Sequence, residues 1–372
     1  MSLELAGIMN SLVRLLLFIL FSISTPLLGQ QVPVSPGAID DGPYFFKSND
    51  TIAAIWIKNN NLYSRIILPD NFAGIRSMFG FSFNYNYLVK TFRQSPGFSQ
   101  KFTDVDNICV ISDIHGNFES YITLLKGASV IDGNLRWKFG KGHLVILGDI
   151  FDRGEKVTEI LWHVFDLEKQ ALGAGGRVHL ILGNHELMVL SGDLRYIHEK
   201  YLITQMLTGI SYSGLFSGNS ILGMWLRSKP AAVTINDILF IHGGISVDMI
   251  ENGLTVKDIN EAIYNDLIGK EPVDSSHIIK LDLLIGDNGP LWYRGFFSET
   301  GIDNQNLDKI LAFYGVNHII VGHTPGNVIR SVNNDKIFGV DAGITNGLPG
   351  ELLLIKKGEF FRVDSSGVRT KL

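Results

Sequence analysis

The sequence predicts an α/β fold that is built on a βαβαβ core. Two observations lead to this prediction. Five short apolar runs occur after residue 106, and each ends directly in a polar turn that contains glycine. Segments with helical periodicity separate the first three runs. Short apolar runs that alternate with helices are typical of buried strands in a βαβ arrangement.

The elements of this core follow one another along the chain. The predicted strands are Ile108–Ile111, Leu144–Leu147, Val178–Leu182, Ile238–Ile241 and His318–Val321. The predicted helices between the first three strands are Phe118–Leu125 and Val157–Leu172. Residues Leu190–Arg227 carry no strand signal and are interpreted as a helical insertion. Three further strands are predicted at the end of the chain, at Lys336–Val340, Glu351–Lys356 and Glu359–Val363.

The chain before this core divides into two parts. Arg14 followed by the apolar run Leu15–Phe21 and by Pro26 is typical of a secretory signal peptide, which we assign to residues 1–30. We therefore expect export to the periplasm or the medium and no stable membrane insertion after cleavage, the alternative being an uncleaved anchor. Residues 31–105 are interpreted as a β-rich elaboration, in which a Pro/Gly spacer precedes a hairpin formed by Thr51–Ile57 and Leu62–Leu68.

Composition excludes several functional classes. With 45% hydrophobic and 19% charged residues, the 372-residue chain does not have the composition of a disordered protein. A net charge of −5 argues against a basic surface for nucleic acid, so no nucleic-acid partner is expected. The single cysteine, Cys109, excludes an internal disulfide and any site that is built from several thiolates.

The turns after the five core strands each contain a potential metal ligand. They are Ser112–Asn117 (SDIHGN), Gly148–Gly154 (GDIFDRG), Gly183–Glu186 (GNHE), His242–Gly244 (HGG) and Gly322–Pro325 (GHTP). One such residue alone would be a helix cap or a core histidine. Five at the ends of buried strands are expected to meet at one edge of the fold. Their oxygen and nitrogen donors suit two divalent ions of Mn, Fe or Zn, and such a centre favours an anionic substrate.

In this order the motifs DIHGN, GDIFDRG, GNHE, HGG and GHT resemble the signature of the phosphoprotein phosphatase superfamily of two-metal (calcineurin-like) phosphoesterases. Residues 106–372 would then form the catalytic domain, with the family's four-layer metallophosphoesterase fold of mixed sheets flanked by helices. Ser112, Ile150–Phe151 and the lack of a SAPNYC-type loop depart from the eukaryotic serine/threonine enzymes. Together with DGPY (Asp41–Tyr44) and GMWLR (Gly223–Arg227), they are most similar to the bacterial Shewanella-like branch.

The resemblance implies a role for each residue of the site. Asp113 and His115 would hold the first ion, and Asp149 would bridge both. The second ion would be completed by Asn184, His242 and His323.

The remaining roles concern the substrate. Arg153 would bind the phosphate, and His185, oriented by Asp152, would protonate the leaving group. Arg294 resembles the second phosphate-binding arginine, although a surface arginine is the alternative. Glu186 is expected to orient a ligand by a hydrogen bond rather than to bind an ion.

The expected function is that of a two-metal phosphomonoesterase for phosphotyrosine or phosphoserine/threonine proteins or small phosphoesters, acting through a hydroxide that bridges the ions. One alternative is a phosphohydrolase for dinucleoside polyphosphates or other nucleotides. A non-catalytic binding module is the third possibility, against which the complete ligand set argues. Aromatic residues of the helical insertion could line a phosphotyrosine slot, but packing is favoured for them; they are Tyr201, Tyr212, Phe216 and Trp225.

Overall fold

The computed structural model describes residues 37–48, 51–91, 97–98, 100–269 and 275–372, so the predicted signal peptide lies outside the described residues. The strands are β1 Asp41–Ser48, β2 Thr51–Lys58, β3 Asn61–Ile67, β4 Lys101–Phe102, β5 Asn107–Ile111, β6 His143–Ile146, β7 Arg177–Leu180, β8 Ala232–Ile235, β9 Ile238–Ile241, β10 His318–Val321, β11 Arg330–Val332, β12 Ile337–Gly339, β13 Glu351–Lys356, β14 Glu359–Asp364 and β15 Arg369–Lys371. The helices are α1 Phe72–Phe79, α2 Tyr85–Thr91, α3 Phe118–Gly127, α4 Val157–Gly173, α5 Asn184–Leu190, α6 Glu199–Thr208, α7 Tyr212–Leu215, α8 Ile221–Arg227, α9 Val247–Glu251, α10 Val256–Leu267, α11 Ser275–Ile285 and α12 Asn304–Tyr314.

The first large sheet contains the predicted βαβαβ core. Its strand order is β15-β14-β13-β5-β6-β7, in which β5, β6 and β7 are parallel and connected through α3 and α4. The C-terminal strands β13, β14 and β15 extend it as an antiparallel ribbon, with β13 antiparallel to β5. The sheet is therefore mixed, as the predicted fold class requires.

The second large sheet has the order β11-β12-β10-β9-β8-β4. Strand β10 is parallel to both of its neighbours, β9 and β12, whereas β8 is antiparallel to β9. The carboxyl ends of β9, β10 and β12 therefore lie together at one edge. Strand β8 was absent from the sequence prediction, because the run Ala232–Ile235 is separated from β9 by only a two-residue turn.

The two large sheets pack face to face through an apolar layer. In β5, the side chains of Ile108 and Val110 belong to this layer, whereas Cys109 and Ile111 pack in the core on the helical side. Alternation of this kind is the period-2 pattern of a strand that is buried on both faces. With helices outside each sheet, the architecture has the predicted four layers, and the predicted fold class is confirmed.

The N-terminal elaboration contains a third, three-stranded antiparallel sheet of order β1-β2-β3. The predicted hairpin is its β2–β3 pair, and Asn59 and Asn60 have the positive φ angles (49° and 61°) of its turn. Strand β1 begins at Asp41, so it overlaps the segment interpreted as a spacer. The indole of Trp162 in α4 donates to the carbonyl oxygen of Pro43 at 2.9 Å and joins this sheet to the core.

Several helices were not predicted. In α1 and α2 the aromatic residues pack in several directions, so no helical period is visible; Phe72 contacts Phe45, Phe83 and Tyr85. The predicted helical insertion contains α6, α7 and α8. In the described ranges, no helix is both long enough and apolar enough to cross a bilayer. The domain boundary at residue 105 stays a prediction, although β4 on its N-terminal side pairs with β8 of the second large sheet.

Candidate active site

The predicted site residues meet where the carboxyl ends of the strands of both large sheets face one another. Asp113, Asp149 and Asn184 follow β5, β6 and β7 of the first sheet. His242 and His323 follow β9 and β10 of the second sheet. All five are buried, and ligand sites lie at such strand ends in α/β sheets.

Two groups of side chains at this edge have the spacing of a metal centre, and they share Asp149. The first group is His115, Asp149 and His185, and the second is Asp149, His242 and His323. Asp149 Oδ2 lies 3.5 Å from His115 Nε2, and its other oxygen, Oδ1, lies 3.3 Å from His242 Nε2. One carboxylate therefore faces both groups, as the bridging role predicted for Asp149 requires.

Three of the histidines each donate from one ring nitrogen to a backbone carbonyl. His115 Nδ1 donates to Phe151 at 2.7 Å, His242 Nδ1 to Leu147 at 2.5 Å and His323 Nε2 to Trp292 at 3.1 Å. In the neutral form of each ring, the second nitrogen carries the lone pair that an ion would bind. In His115 and His242 this nitrogen, Nε2, faces Asp149. This arrangement orients neutral imidazoles as metal ligands, so the donor set fits divalent ions.

Asp113 and Asn184 complete the predicted ligand set. The Oδ2 atom of Asp113 accepts hydrogen bonds from the Ser112 hydroxyl at 2.5 Å and from the His323 backbone N–H at 2.9 Å. The Oδ1 atom of Asn184 lies 2.9 Å from His242 Nε2. The structure thus brings all six predicted metal ligands to one place, with Asp113 hydrogen-bonded to the backbone of His323 in the second group.

Burial and neighbouring charges fix the protonation states of the metal-free centre. Burial lowers the pKa of His115 to about 3 and that of His323 to about 2, so both rings are neutral. Burial alone would raise the pKa of Asp149, but the adjacent histidines, His242 first, hold it well below its usual value. Conversely, burial alone would lower the pKa of His242, but Asp149 together with Asp113 and the Leu147 carbonyl raises it to about 10. The centre is therefore a tightly coupled set of charges.

The turns that carry these ligands are strained. Six predicted site residues have a positive φ, which is uncommon for residues other than glycine; they are Asp113, His115, Asp149, Asp152, Arg153 and His323. Such conformations cost about 1–3 kcal/mol each and persist only where the surrounding structure enforces them. Their concentration at one edge is consistent with a functional site.

Glu186 enforces the conformation of two of these turns. Its fully buried carboxylate accepts hydrogen bonds from the backbone N–H groups of Asp149 (2.8 Å), Ile150 (2.8 Å), Phe151 (3.3 Å) and Gly183 (2.8 Å). Glu186 thereby ties the turn after β6 to the turn after β7. Burial raises the pKa of its carboxyl, and the charge of Asp149 adds to this effect.

The predicted proton donor differs from the other histidines in its partner. His185 Nδ1 contacts a carboxylate oxygen of Asp152 at 2.5 Å, not a carbonyl. A carboxylate partner stabilises the protonated ring, whereas a carbonyl partner only orients a neutral one. The Nε2 atom of His185 lies 3.9 Å from Asp149 Oδ2, so it faces the same centre.

Both predicted phosphate-binding arginines are exposed at the mouth of the site. Arg294 donates to the carbonyl oxygen of His323 at 2.7 Å, which places it beside the second group. The positive charge of Arg153 contributes to lowering the pKa of His115, and Arg294 does so for His323. One arginine therefore lies beside each of the two ligand groups.

Two residues at the site were missed by the sequence analysis. Asp341 is buried beside Asp113, and its charge contributes, after burial, to raising the pKa of that carboxyl. The sequence contained a signal for this residue, because Asp341 follows an apolar strand, β12, and precedes a glycine, as the ligands of the other turns do. The second is Tyr196, whose exposed ring has its centroid 5.6 Å from that of His185. The aromatic residues considered for a phosphotyrosine slot are instead fully buried, as favoured; they are Tyr201, Tyr212, Phe216 and Trp225.

Comparison with known proteins gives a consistent result. The sequence profile of calcineurin-like phosphoesterases matches residues 107–327. The crystal structure of a cold-active protein-tyrosine phosphatase of a psychrophilic Shewanella species superposes with a TM-score of 0.79 and 35% identity, over 90% of this chain and 99% of that one. Shewanella-like protein phosphatase 2 of Arabidopsis thaliana is 28% identical over 72% of this chain and 79% of its own length. Shewanella-like protein phosphatase 1 of Plasmodium berghei is 29% identical over 64% and 67%, respectively. The chain therefore belongs to the calcineurin-like phosphoesterase family and, within it, to the Shewanella-like phosphatases.

Proposed function

We propose that this phosphatase is a two-metal phosphomonoesterase for phosphoproteins, with phosphotyrosine as the preferred ester. The observation that carries the proposal is the His185–Asp152 pair, which faces Asp149 at the shared edge of two ligand groups. A proton donor beside a dinuclear centre is the arrangement needed to cleave an ester bond to a poor leaving group.

The residues that would hold the ions are those at the shared edge. Asp113, His115 and Asp149 would bind one ion, and Asp149 with Asn184, His242 and His323 would bind the other. When bound, the ions supply the Lewis acidity that activates water and polarises the phosphoryl oxygens. The mixture of carboxylate, imidazole and amide donors favours Mn, Fe or Zn.

The other residues of the chain act on the substrate. The guanidinium groups of Arg153 and Arg294 would bind the phosphoryl oxygens, because their planar donor pairs match an oxyanion. His185 would deliver the proton from Nε2 to the leaving oxygen while Asp152 stabilises the charged ring.

Two observations support phosphotyrosine over phosphoserine. The Shewanella enzyme, similar over nearly the whole chain, is described as a protein-tyrosine phosphatase. The exposed ring of Tyr196 lies beside His185, where the leaving group would be protonated. An aromatic side chain at this position offers a stacking surface to a phenyl ring and none to a serine.

A substrate panel tests the proposal. Protein reconstituted separately with Mn, Fe or Zn is assayed with a phosphotyrosine peptide, its phosphoserine counterpart, p-nitrophenyl phosphate and a dinucleoside tetraphosphate. We expect kcat/KM to be highest for the phosphotyrosine peptide. Faster turnover of the dinucleoside tetraphosphate would favour the nucleotide hydrolase instead, and no turnover of any ester would refute both.

Export of the protein is a further part of the proposal. It rests on the sequence between Arg14 and Gln30, which has the n-region, apolar run and cleavage region of a signal peptide. N-terminal sequencing of the protein recovered from the periplasm or medium should begin near Gln30. A protein retained in the cytoplasm with its first methionine would contradict export.

A further inference from the structure

The turn that presents Arg153 is strained, and the helix that follows it has no side-chain cap from its own N-cap residue. Asp152 and Arg153 both have left-handed backbone conformations, with φ angles of 71° and 64°. Helix α4 begins only four residues later, at Val157, and the residue before it, Lys156, makes no side-chain cap. Strain of this kind persists only where neighbouring groups hold the backbone.

The segment from Tyr196 to Tyr201 holds this turn on both sides. Within the turn, the carbonyl oxygen of Tyr196 accepts a hydrogen bond from the Arg153 backbone N–H at 2.8 Å. After it, the carbonyl oxygen of Glu155 accepts hydrogen bonds from Lys200 Nζ at 2.8 Å and from the Tyr201 hydroxyl at 2.9 Å. The same segment therefore holds the backbone at Arg153 itself and again two residues later, at Glu155.

Tyr201 also replaces the missing helix cap. Its hydroxyl oxygen accepts hydrogen bonds from the backbone N–H groups of Val157 at 2.8 Å and Thr158 at 3.4 Å. These are first-turn donors of α4, which would otherwise have no helical partner. One fully buried phenol thus binds the carbonyl before the helix and the N–H groups that begin it.

The N-terminal sheet fixes this segment in turn. Asp41 of β1 accepts hydrogen bonds from the hydroxyls of Tyr44 at 2.8 Å and Thr204 in α6 at 2.7 Å, and it lies 3.7 Å from Lys200 Nζ. The hydroxyl of Tyr44 also lies within hydrogen-bond distance of Thr158, at 3.1 Å. All of these side chains are at least nine-tenths buried, so the contacts are shielded from water. We call Asp41, Tyr44, Lys200 and Tyr201 the clamp.

We propose that the clamp positions Arg153 for phosphate binding, so that the N-terminal sheet is part of the catalytic machinery and not only an attachment to it. The inference rests on the proposed role of Arg153. Asp41, Tyr44, Lys200 and Tyr201 are positioning residues, because they reach the substrate only through the backbone of the turn.

The test measures inhibition by inorganic phosphate together with kcat, KM and metal content of the full-length enzyme. Tyr201→Phe removes the hydroxyl that holds Glu155 and caps α4. We expect it to weaken phosphate inhibition and raise KM by roughly tenfold with metal content unchanged, because small displacements of a binding group are costly. Tyr44→Phe, on the N-terminal sheet, should act in the same direction and serves as the second variant if Tyr201→Phe does not fold.

Tyr212→Phe is the matched control. It removes another fully buried phenol hydroxyl, from a ring whose centroid lies 4.5 Å from that of Tyr201. Within the described part of the chain this hydroxyl has no hydrogen-bond partner. Tyr212→Phe should therefore leave phosphate inhibition and KM unchanged.

A double-mutant cycle with Arg153→Ala separates the outcomes. If the clamp acts through Arg153, Tyr201→Phe should have no further effect on phosphate inhibition in the Arg153→Ala background. Equal effects of Tyr201→Phe in both backgrounds would overturn the inference while leaving the role of Arg153 intact. Unchanged phosphate inhibition in Arg153→Ala alone would instead refute the proposed role of Arg153.

Discussion

Four histidines face Asp149 or its immediate neighbours, and the partner of each ring separates their roles. His115, His242 and His323 donate to carbonyl oxygens, whereas His185 contacts the carboxylate of Asp152. A carbonyl partner fixes the orientation of a ring and leaves its other nitrogen available to an ion, whereas a carboxylate partner also stabilises the charge of a ring while it transfers a proton. A difference of one hydrogen-bond partner therefore distinguishes a proton donor from a metal ligand among otherwise similar side chains.

Replacement of His185 by asparagine tests this distinction. His185→Asn should lower kcat by about 10²–10⁴-fold for a phosphotyrosine or phosphoserine peptide, because the leaving oxygen no longer receives a proton. The loss should be smaller for p-nitrophenyl phosphate, whose leaving group needs no proton. Metal content, measured by elemental analysis, should stay at the wild-type level; loss of an ion would identify His185 as a ligand instead.

At the level of single residues, the sequence allowed a residue to be placed at the shared edge where its type and its position after a strand were both informative, and its role as a ligand stays a prediction. This was so for Asp113, Asp149 and His242. Sequence reasoning failed for Asp341, which has the same pattern but lies outside the recognised motifs. It also failed for Tyr196, because its approach to His185 depends on the path of the chain between α5 and α6, which no periodicity encodes.

At the scale of secondary-structure elements, the turns after β5 and β6, which carry the motifs DIHGN and GDIFDRG, pack backbone against backbone. A Cβ atom on Gly154, in the turn before α4, would lie 2.3 Å from the carbonyl oxygen of His115 in the turn before α3. Gly116 has the reciprocal contact with Gly154, at 2.6 Å. The glycines of these motifs therefore allow two loops to approach so closely that neither tolerates a side chain.

Gly154→Ala should separate the two loops. We expect a loss of about 1–3 kcal/mol in the free energy of unfolding, together with weaker metal binding and lower kcat/KM, because His115 and Arg153 move with the loops. Gly173→Ala, at the end of α4, is the control, since nothing lies within 4 Å of its added Cβ. A Gly154→Ala enzyme with normal metal affinity and rate would contradict the close-contact argument.

Glu186→Gln tests the connection between the turns after β6 and β7. The amide offers one oxygen and one N–H₂ group to four backbone N–H donors, so at least one donor loses its acceptor. Metal affinity should fall by about 10–100-fold without loss of any ligand, as measured by competition with a fluorescent chelator. Asp341→Asn serves as a comparison, because it removes a buried charge beside Asp113 without touching these four donors.

At the scale of elements, the strands of the core were predictable because each is a buried apolar run, as in β5 and β6. The N-terminal sheet and α1–α2 were harder to predict for a physical reason. Phe81 packs against Trp162, whereas Phe72 packs against Phe45, Phe83 and Tyr85, so burial there does not follow one helical face. Strand β1 escaped prediction because glycine and proline occur in its first residues.

For the whole molecule, the metal-free centre couples stability to pH. Burial and the charges of Asp341 and Asp149 raise the pKa of Asp113, and Asp149 raises that of His242 to about 10. Protons on these groups favour the metal-free fold, so their contribution is lost as pH rises. Asp149, whose pKa is held low, is ionised in both the folded and the unfolded state above its ordinary pKa and so adds no slope there. The lowered pKa values of His115 and His323 oppose the trend only below about pH 7, where unfolded histidines bind protons.

Chelator-treated protein should therefore lose thermal stability from about pH 7 to 9.5, between the ordinary pKa of histidine and the raised pKa of His242, whereas the metal-loaded protein should not. The difference in Tm between the two forms should grow with pH, because bound ions displace the protons of Asp113 and His242. Differential scanning calorimetry across this range checks the expectation, and titration calorimetry in two buffers should detect proton release on metal binding. A Tm difference that shrinks as pH rises would refute the assigned protonation states.

The apolar layer between the two large sheets has a consequence for how the catalytic rate of the enzyme can evolve. Because the ligand turns are divided between the sheets, the distance between the two ligand groups is set by how the sheets pack. Side chains such as Val110, Val145, Phe240 and Ile320 occupy that interface and touch no substrate. Conservative exchanges among them would shift the two ligand groups relative to one another, so natural selection can adjust catalytic speed through residues that look purely structural.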